Sequence, residues 1–206
     1  MNNEVNKSEF WDNLYKINSV GWNLKSPTPA FIDLLKSKYF ADKNKMLITG
    51  CGYGYDAIAA AKNNFNVTAV DFSETAIQFG QSLAEKENVK VNFIAEDFFR
   101  LNDNHLNSYE IIFDYVTYCA IDPLRRKEYA DKIYQLLKTE GIFVIILFPI
   151  EKRVGGPPFA VDVDEATKLF SEKLKLVVST DKINSIKPRK GRELLQIYRK
   201  INGKKS

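Results

Sequence analysis

Met46-Leu47-Ile48-Thr49-Gly50-Cys51-Gly52-Tyr53-Gly54-Tyr55-Asp56 is an apolar run that breaks into three alternating glycines and resumes as Ala57-Ile58-Ala59-Ala60-Ala61. The pattern predicts a buried strand, a tight turn and a helix start. A second apolar run, Val67-Thr68-Ala69-Val70, ends in Asp71, at roughly the 20-residue offset where a nucleoside-binding fold places its acid. Glycines permit close backbone approach, and a carboxylate at the next strand tip accepts from ribose hydroxyls. The layout is a nucleoside crevice at the carboxyl ends of parallel strands.

The glycine spacing narrows the ligand. Dinucleotide folds use G-x-G-x-x-G, whose third glycine brings a helix N-terminus onto a pyrophosphate. Here the glycines fall at 50, 52 and 54, and Asp56 follows. A carboxylate there repels a pyrophosphate and tolerates the ammonium of a methionine moiety. The motif looks like the S-adenosylmethionine site of class I methyltransferases, a glycine-rich turn of another α/β protein being the alternative.

Around this stretch, 206 residues suffice for one well-packed domain over 1–206, with helices and a lid in 1–40 and the sheet core in 45–201. The composition, 45% hydrophobic and 27% charged, is ordinary for a globular chain, and no apolar run is long enough to span a membrane. Met1–Lys7 lacks the apolar core of a secretory signal, and Cys51 and Cys119 alone build no disulfide framework. A cytoplasmic, soluble monomer with no membrane partner is expected. The net charge of +4 is concentrated near the end, at Lys187, Arg189, Lys190, Arg192, Arg199, Lys200, Lys204 and Lys205. A solvated strand edge and terminus account for that excess at least as well as nucleic acid does.

In chain order, residues 8–17 have helical apolar spacing behind a Ser8 cap. Pro27 and Pro29 open a second helix. Trp11 and Trp22, which precede the first core strand, are either packing residues or indoles facing a sulfonium, whose charge an aromatic face attracts. Residues 73–86 predict a helix capped by Ser73, and 89–94 a third strand followed by Glu96-Asp97-Phe98-Phe99. Asp97 and Phe98 either bond and cover an adenine or serve as turn cap and core. A fourth strand runs from Tyr109 to Tyr115, and a helix from Leu124 to Lys138 leads to a continuously apolar fifth strand over 142–149. A glycine-proline loop, a helix over 164–173 and strands over 174–181 and 193–201 complete the chain, with a polar, mobile connection expected over 184–191. The alternation predicts a mainly parallel, seven-stranded sheet with helices on both faces, and right-handed crossovers gather Gly50, Asp71, Asp97 and Tyr115 around one crevice.

Across nearly the whole chain the sequence resembles the thiopurine, thiol and halide methyltransferase family of class I enzymes, closest to its halide/thiol branch. The resemblance is carried by Phe10-Trp11 to Gly21-Trp22, Gly50 to Asp56, Val70-Asp71-Phe72-Ser73, Glu96 to Phe99, Phe113-Asp114-Tyr115, Cys119 to Pro123 with Arg126, Gly155 to Phe159, and Arg189 to Glu193. It implies a Rossmann-like fold with an N-terminal helical lid and an S-adenosylmethionine pocket lined by Trp11, Tyr15, Trp22, Gly50, Gly52, Asp71, Asp97, Phe98 and Tyr115. It also implies a soft acceptor, a thiol, bisulfide, thiocyanate or halide, bounded by Trp22, Tyr118, Phe148 and Phe159. Two positions depart from the family pattern: Thr49 replaces a proline before Gly50, and Phe148 replaces a tyrosine before Pro149. The second leaves the order of preference open and admits a thiopurine.

No general base is expected. His105 is read as an exposed loop residue, Cys51 and Cys119 as packing residues, and no cluster has metal-ligand or Ser-His-Asp spacing. Two readings compete with a small-molecule methyltransferase: a cofactor-binding protein without turnover, and an RNA methyltransferase using the basic tail.

Overall fold

The computed structural model describes residues 3–201. Lys204 and Lys205 of the basic tail, like Met1 and Asn2, lie outside the described residues. Strands β1 (Lys45–Thr49), β2 (Asn66–Asp71), β3 (Asn92–Ala95), β4 (Tyr109–Tyr115), β5 (Leu137–Leu147), β6 (Lys175–Thr180) and β7 (Leu194–Arg199) form one seven-stranded sheet in the order β3-β2-β1-β4-β5-β7-β6. From β3 to β5 every neighbouring pair is parallel, and β7 runs antiparallel to both β5 and β6. A parallel pair needs a crossover, and helices α3 (Tyr55–Lys62), α4 (Glu74–Lys86) and α5 (Arg126–Leu136) supply them. All five strand tips therefore meet at one edge.

The two faces of the sheet are covered by different helices. Met46, Ile48 and Phe113 turn toward Phe31 of α2 (Pro29–Leu35) and Ala57 of α3. Leu47, Ile112 and Phe143 turn toward Tyr129 and Ile133 of α5 and Phe170 of α6 (Val163–Ser171). Because β5 is buried on both sides from Gly141 to Leu147, its sequence is apolar without alternation, as expected for a covered strand. Helix α1 (Ser8–Lys16) stands outside this frame and lies against α4.

Several boundaries differ from the sequence reading. α5 stops at Leu136, and β5 begins at Leu137 rather than near 142, because Leu137 already pairs with Tyr109 before a register shift that precedes the Ile111–Ile142 pair. β3 is a short edge strand, since residues 89–91 have no partner beyond β2 to hold them extended. Ser8 is the first helical residue and Lys7 the cap position, with no side-chain cap bond. His105 is half-buried, stacked on Tyr109 and bonded to its hydroxyl, and burial lowers its pKa.

The connection over 184–191 is not a free polar loop. Arg189 is only 5% exposed. Lys200 is likewise buried, donating to Asn107 Oδ1 and the Tyr134 and Leu137 carbonyls, and Arg199 faces Glu140. Two of these cations, Arg189 and Lys200, are thus held inside the fold and unavailable to a phosphate backbone.

Candidate active site

The turn after β1 is built for close approach. Gly50 and Gly52 have φ of 50° and 53°, a region costly for side-chain residues. A Cβ on Gly50 would lie 2.3 Å from Thr117 Oγ1, and that hydroxyl donates to the Thr49 carbonyl at 2.9 Å. The tips of β1 and β4 are therefore stitched together directly beneath the glycine turn. A Cβ on Gly52 would meet the Tyr15 hydroxyl at 3.0 Å.

Asp71 ends β2 and is 8% exposed. One carboxylate oxygen accepts from Gly52 N at 2.7 Å and the other from Ser73 N at 2.9 Å. Even without a ligand, this acid is thus the clamp that fixes the glycine turn to β2. Burial raises its pKa, opposed by the Ser73 and Gly52 N–H groups. A carboxylate has about four lone-pair sites, so two such bonds leave capacity for ribose hydroxyls.

The N-terminal segment covers this turn with aromatic rings. Tyr15 packs edge-on against Trp22 and Tyr53, and Trp22 Nε1 donates to the Tyr15 hydroxyl at 3.1 Å. Trp11 packs on Trp22 from behind and donates to the Val5 carbonyl. Tyr15, Trp22, Thr49, Gly50, Cys51, Gly52, Asp56, Tyr115 and Val116 are among the residues lining a cavity of about 70 Å3. That is below the roughly 300 Å3 of small-molecule sites, so the aromatic cover fills much of the crevice.

Two carboxylates anchor the cover. Asp12 of α1 accepts from Ser73 Oγ at 2.7 Å and Thr75 N at 2.8 Å, at the start of α4, and its pKa is strongly lowered by these bonds and Lys16 against the opposing effect of burial. Asp56 of α3 accepts from Thr28 N at 2.6 Å and Thr28 Oγ1 at 2.8 Å, at the root of α2. The sequence reading set Asp56 beside a ligand ammonium. Instead both its oxygens hold the covering segment, and burial pushes its pKa up to about 6.

At the tip of β4, Asp114 is fully buried and accepts from the Tyr129 hydroxyl, Thr117 N and Tyr118 N. These bonds organise the turn that carries Tyr115 and hold Val116 at φ 67°, which a β-branched residue seldom adopts. Burial pushes the Asp114 pKa up to about 6. The Tyr115 hydroxyl donates to Glu193, whose other oxygen accepts from Ser185 Oγ. Arg189 stacks over Tyr115 and Phe148, at 4.9 and 5.2 Å from the ring centroids.

The candidate residues thus divide. Tyr15, Trp22, Gly50, Gly52 and Tyr115 line the cavity, Asp71 stands one hydrogen bond behind it, and Trp11 supports Trp22. Asp97 and Phe98 do not line it: Asp97 caps a short turn through Phe99 N, and Phe98 packs on Tyr129 in the core beneath α5. Tyr118 is also core, against Tyr129 and Phe170 with the Arg126 guanidinium 4.6 Å from its ring centroid. Apolar bulk on a strand tip faces whichever helix covers it, and at Phe98 and Tyr118 that helix is α5. Phe148 and Phe159 lie past β5, where Phe159 N donates to the Cys119 carbonyl. Asp12, Thr28, Arg189 and Glu193 escaped the sequence reading, because each acts on a residue far away in the chain.

The strand order with its reversed β7, the glycine turn at the tip of β1 and the acid at the tip of β2 define a class I, S-adenosylmethionine-dependent methyltransferase. The chain belongs to the thiopurine S-methyltransferase (TPMT) family, whose sequence profile matches residues 6–199. It is 32% identical to a probable thiol methyltransferase 2 of Arabidopsis thaliana over 198 residues, covering 95% of this chain and 86% of that protein. It is 33% identical to thiocyanate methyltransferase 1 of Brassica oleracea, covering 93% and 85%. In fold it matches the Burkholderia thailandensis 1,6-didemethyltoxoflavin-N1-methyltransferase, solved with its substrate and S-adenosylhomocysteine, at a TM-score of 0.72 and 21% identity, covering 96% and 88%.

The residues present suit S-adenosylmethionine. Positions 50 and 52 of the turn have no room for a side chain, Asp71 offers acceptors to a ribose, and the rings of Tyr15 and Trp22 suit a sulfonium. Among the described residues no helix is long and apolar enough to cross a membrane, and no group of three metal-ligating side chains converges.

Proposed function

We propose that this protein transfers the methyl group of S-adenosylmethionine to a small, soft, already anionic nucleophile: bisulfide or a thiolate, thiocyanate, or a halide. The observation that carries the reading is a family match over residues 6–199 joined to a glycine turn clamped by Asp71 under an aromatic cover. Relatives named thiol and thiocyanate methyltransferases point to the same acceptor class.

S-adenosylmethionine, when bound, supplies an electrophilic methyl on a sulfonium. The chain binds and orients it, with Asp71 at the ribose and Trp11, Tyr15, Trp22, Gly50, Gly52 and Tyr115 around the rest. Asp97 and Phe98 keep only an indirect part, positioning the tip of β3. The anion approaches past Tyr115 and Phe148, with Phe159 behind them. Excluding water from an anion raises its reactivity toward a cationic centre, and the aromatic cover does this by closing over the crevice. The cover must open to admit the cofactor, since the cavity beneath it is about 70 Å3, so residues 8–25 act as a lid.

No side chain near the site is a ready general base. The Cys119 thiol is pushed up to about 12 by burial, the Tyr115 hydroxyl is raised by the same cause, and Asp56 and Asp114 are committed to donors. The single histidine, His105, precedes β4 and lies at the opposite edge of the sheet. Phe148 widens the acceptor end relative to a tyrosine, which favours including thiopurines among the substrates tested. The chain is proposed to work as one cytoplasmic, monomeric unit, consistent with its two free cysteines.

The test measures S-adenosylhomocysteine formed with bisulfide, thiocyanate, iodide and a thiopurine, using the intact protein and Trp22→Ala. Turnover with at least one anion is expected, falling by about 100-fold when the lid ring is lost. Absence of product with all four, or full activity in Trp22→Ala, contradicts the acceptor class or the lid respectively.

A further inference from the structure

The lid has two roots, and they are not equivalent. At one, Asp56 holds Thr28 N and Thr28 Oγ1, Thr28 is buried between Pro27 and Pro29, and α2 follows with Ala30 and Phe31 in the core. At the other, Asp12 holds α1 to the start of α4, and within α1 only Tyr15 is buried. The segment between the roots turns at Asn18 and Lys25, with φ of 55° and 56°. Moving the first root disturbs the core, whereas moving the second swings one short helix. A further tie of the N-terminal end, Asn6 Nδ2 to Asp122 Oδ2 at 3.3 Å, is a single longer bond. Opening therefore turns on Asp12.

Asp12 is also joined to the ribose-side acid. Its Oδ1 accepts from both Ser73 Oγ and Thr75 N, and its Oδ2 faces Lys16 Nζ at 2.7 Å. Ser73 is fully buried; its Oγ caps α4 by accepting from Ala76 N at 3.1 Å, and its N–H donates to Asp71. Asp71 in turn accepts from Gly52 N. An unbroken line of hydrogen bonds thus runs from the glycine turn through Asp71 and Ser73 to α1. A carboxylate at the start of the 13-residue α4 is further favoured by the helix dipole. Asp12 does not line the cavity. It acts through the rings beside it, Trp11 directly before it and Tyr15 three positions on.

We propose that Asp12 is the positioning residue that latches the lid: its bonds to Ser73 Oγ and Thr75 N hold Trp11 and Tyr15 over the crevice, and their rupture, with Asp56 and Thr28 as the fixed root, sets how fast the cofactor and its product pass. The proposal rests on the cofactor and lid reading above and adds which contact gives way. Such a latch has a kinetic signature. It is made in the closed lid with or without a ligand, so weakening it raises the open fraction of both states and speeds entry and exit alike. An effect transmitted to Asp71 and the ribose would change affinity instead.

Trp11 and Trp22 are the two tryptophans of the chain and both lie on the lid, and Trp22 Nε1–H is bonded to the Tyr15 hydroxyl on α1. The experiment compares the intact protein with Asp12→Ala, Asp12→Asn and, as an exposed control on α1 with the same charge change, Glu9→Gln. Exchange of the Trp22 indole hydrogen with solvent is followed by NMR without ligand, and S-adenosylhomocysteine association and dissociation by stopped-flow tryptophan fluorescence. In Asp12→Ala the indole exchange and both ligand rates should rise by about tenfold, as loss of a charged hydrogen bond gives, with affinity unchanged within about threefold. Asp12→Asn keeps an acceptor oxygen and should fall between, while Glu9→Gln should match the intact protein. Asp12→Asn decides the matter if melting curves show that the alanine variant does not fold. Exchange and ligand rates that ignore both Asp12 substitutions overturn the proposal. So does weaker affinity with an unchanged association rate, which would put the effect of Asp12 on the ribose-side acid. Failure of S-adenosylhomocysteine to bind the intact protein refutes the cofactor reading instead, and the exchange measured without ligand then decides the latch.

Discussion

The two halves of the crevice are built in different ways. At the tips of β1 and β2, the geometry comes from short stretches of backbone: glycines at 50 and 52 with positive φ, and Asp71 reaching N–H groups 19 residues back and two ahead. At the tips of β4 and β5 it comes from side chains far apart in sequence. Tyr115 meets Glu193 across 78 positions, and Arg189 meets Trp22 across 167. The first half presents fixed acceptors and turns, suited to a group that every member of a cofactor class shares. The second depends on lid and tail arriving together, which suits an acceptor that must be recognised and kept dry.

If the first half is a rigid clamp, breaking it should cost the most. Asp71→Ala removes the acceptor for Gly52 N and Ser73 N as well as the proposed ribose contact. Its S-adenosylhomocysteine affinity should fall by about 1.5–3 kcal/mol, the range for hydrogen bonds to charged groups, as measured by calorimetry. Unchanged affinity would remove Asp71 from the cofactor site and leave it a structural clamp.

A smaller effect is expected where the halves join. Asp114 holds the turn that carries Tyr115, and its pKa lies near 6 against an ordinary 3.8 because it is buried. The folded state therefore binds this proton more tightly than the unfolded state, so the carboxyl's contribution to stability declines as pH rises from about 4 to about 6. Asp114→Asn removes that titration. The stability of the intact protein relative to the variant should accordingly fall over this interval when thermal unfolding is followed at several pH values. A difference that is constant with pH would mean that the Asp114 carboxyl does not titrate there.

The same contrast explains what was legible in the sequence. The glycine turn, the acid-tipped second strand and the alternation of strands and helices are local signals, and the observed sheet follows them from β1 to β5. The sequence left Asp97 and Phe98 open between adenine contacts and a turn cap with core, and Tyr118 entered with the family resemblance; neither signal says which face a side chain takes. Phe98 and Tyr118 went under α5, and Asp97 became a turn cap. The polar composition of 184–191 suggested an exposed loop, yet Arg189 is drawn inside by two aromatic rings and a carbonyl on the lid. Nothing within that loop encodes those partners. The part of Asp12 and the true partner of Asp56 were hidden for the same reason, the partners lying 61 to 63 and 28 positions away.

The central claim is that the acceptor brings its own negative charge and the protein supplies a dry, oriented site without a general base. The most direct test is the rate of S-adenosylhomocysteine formation with saturating iodide, an acceptor that does not titrate, followed across the neutral to mildly alkaline range in which the protein stays folded. The rate should be flat with pH, while a thiol acceptor should follow its own ionisation. A bell-shaped iodide profile, reporting an acid and a base on the enzyme, would contradict the account.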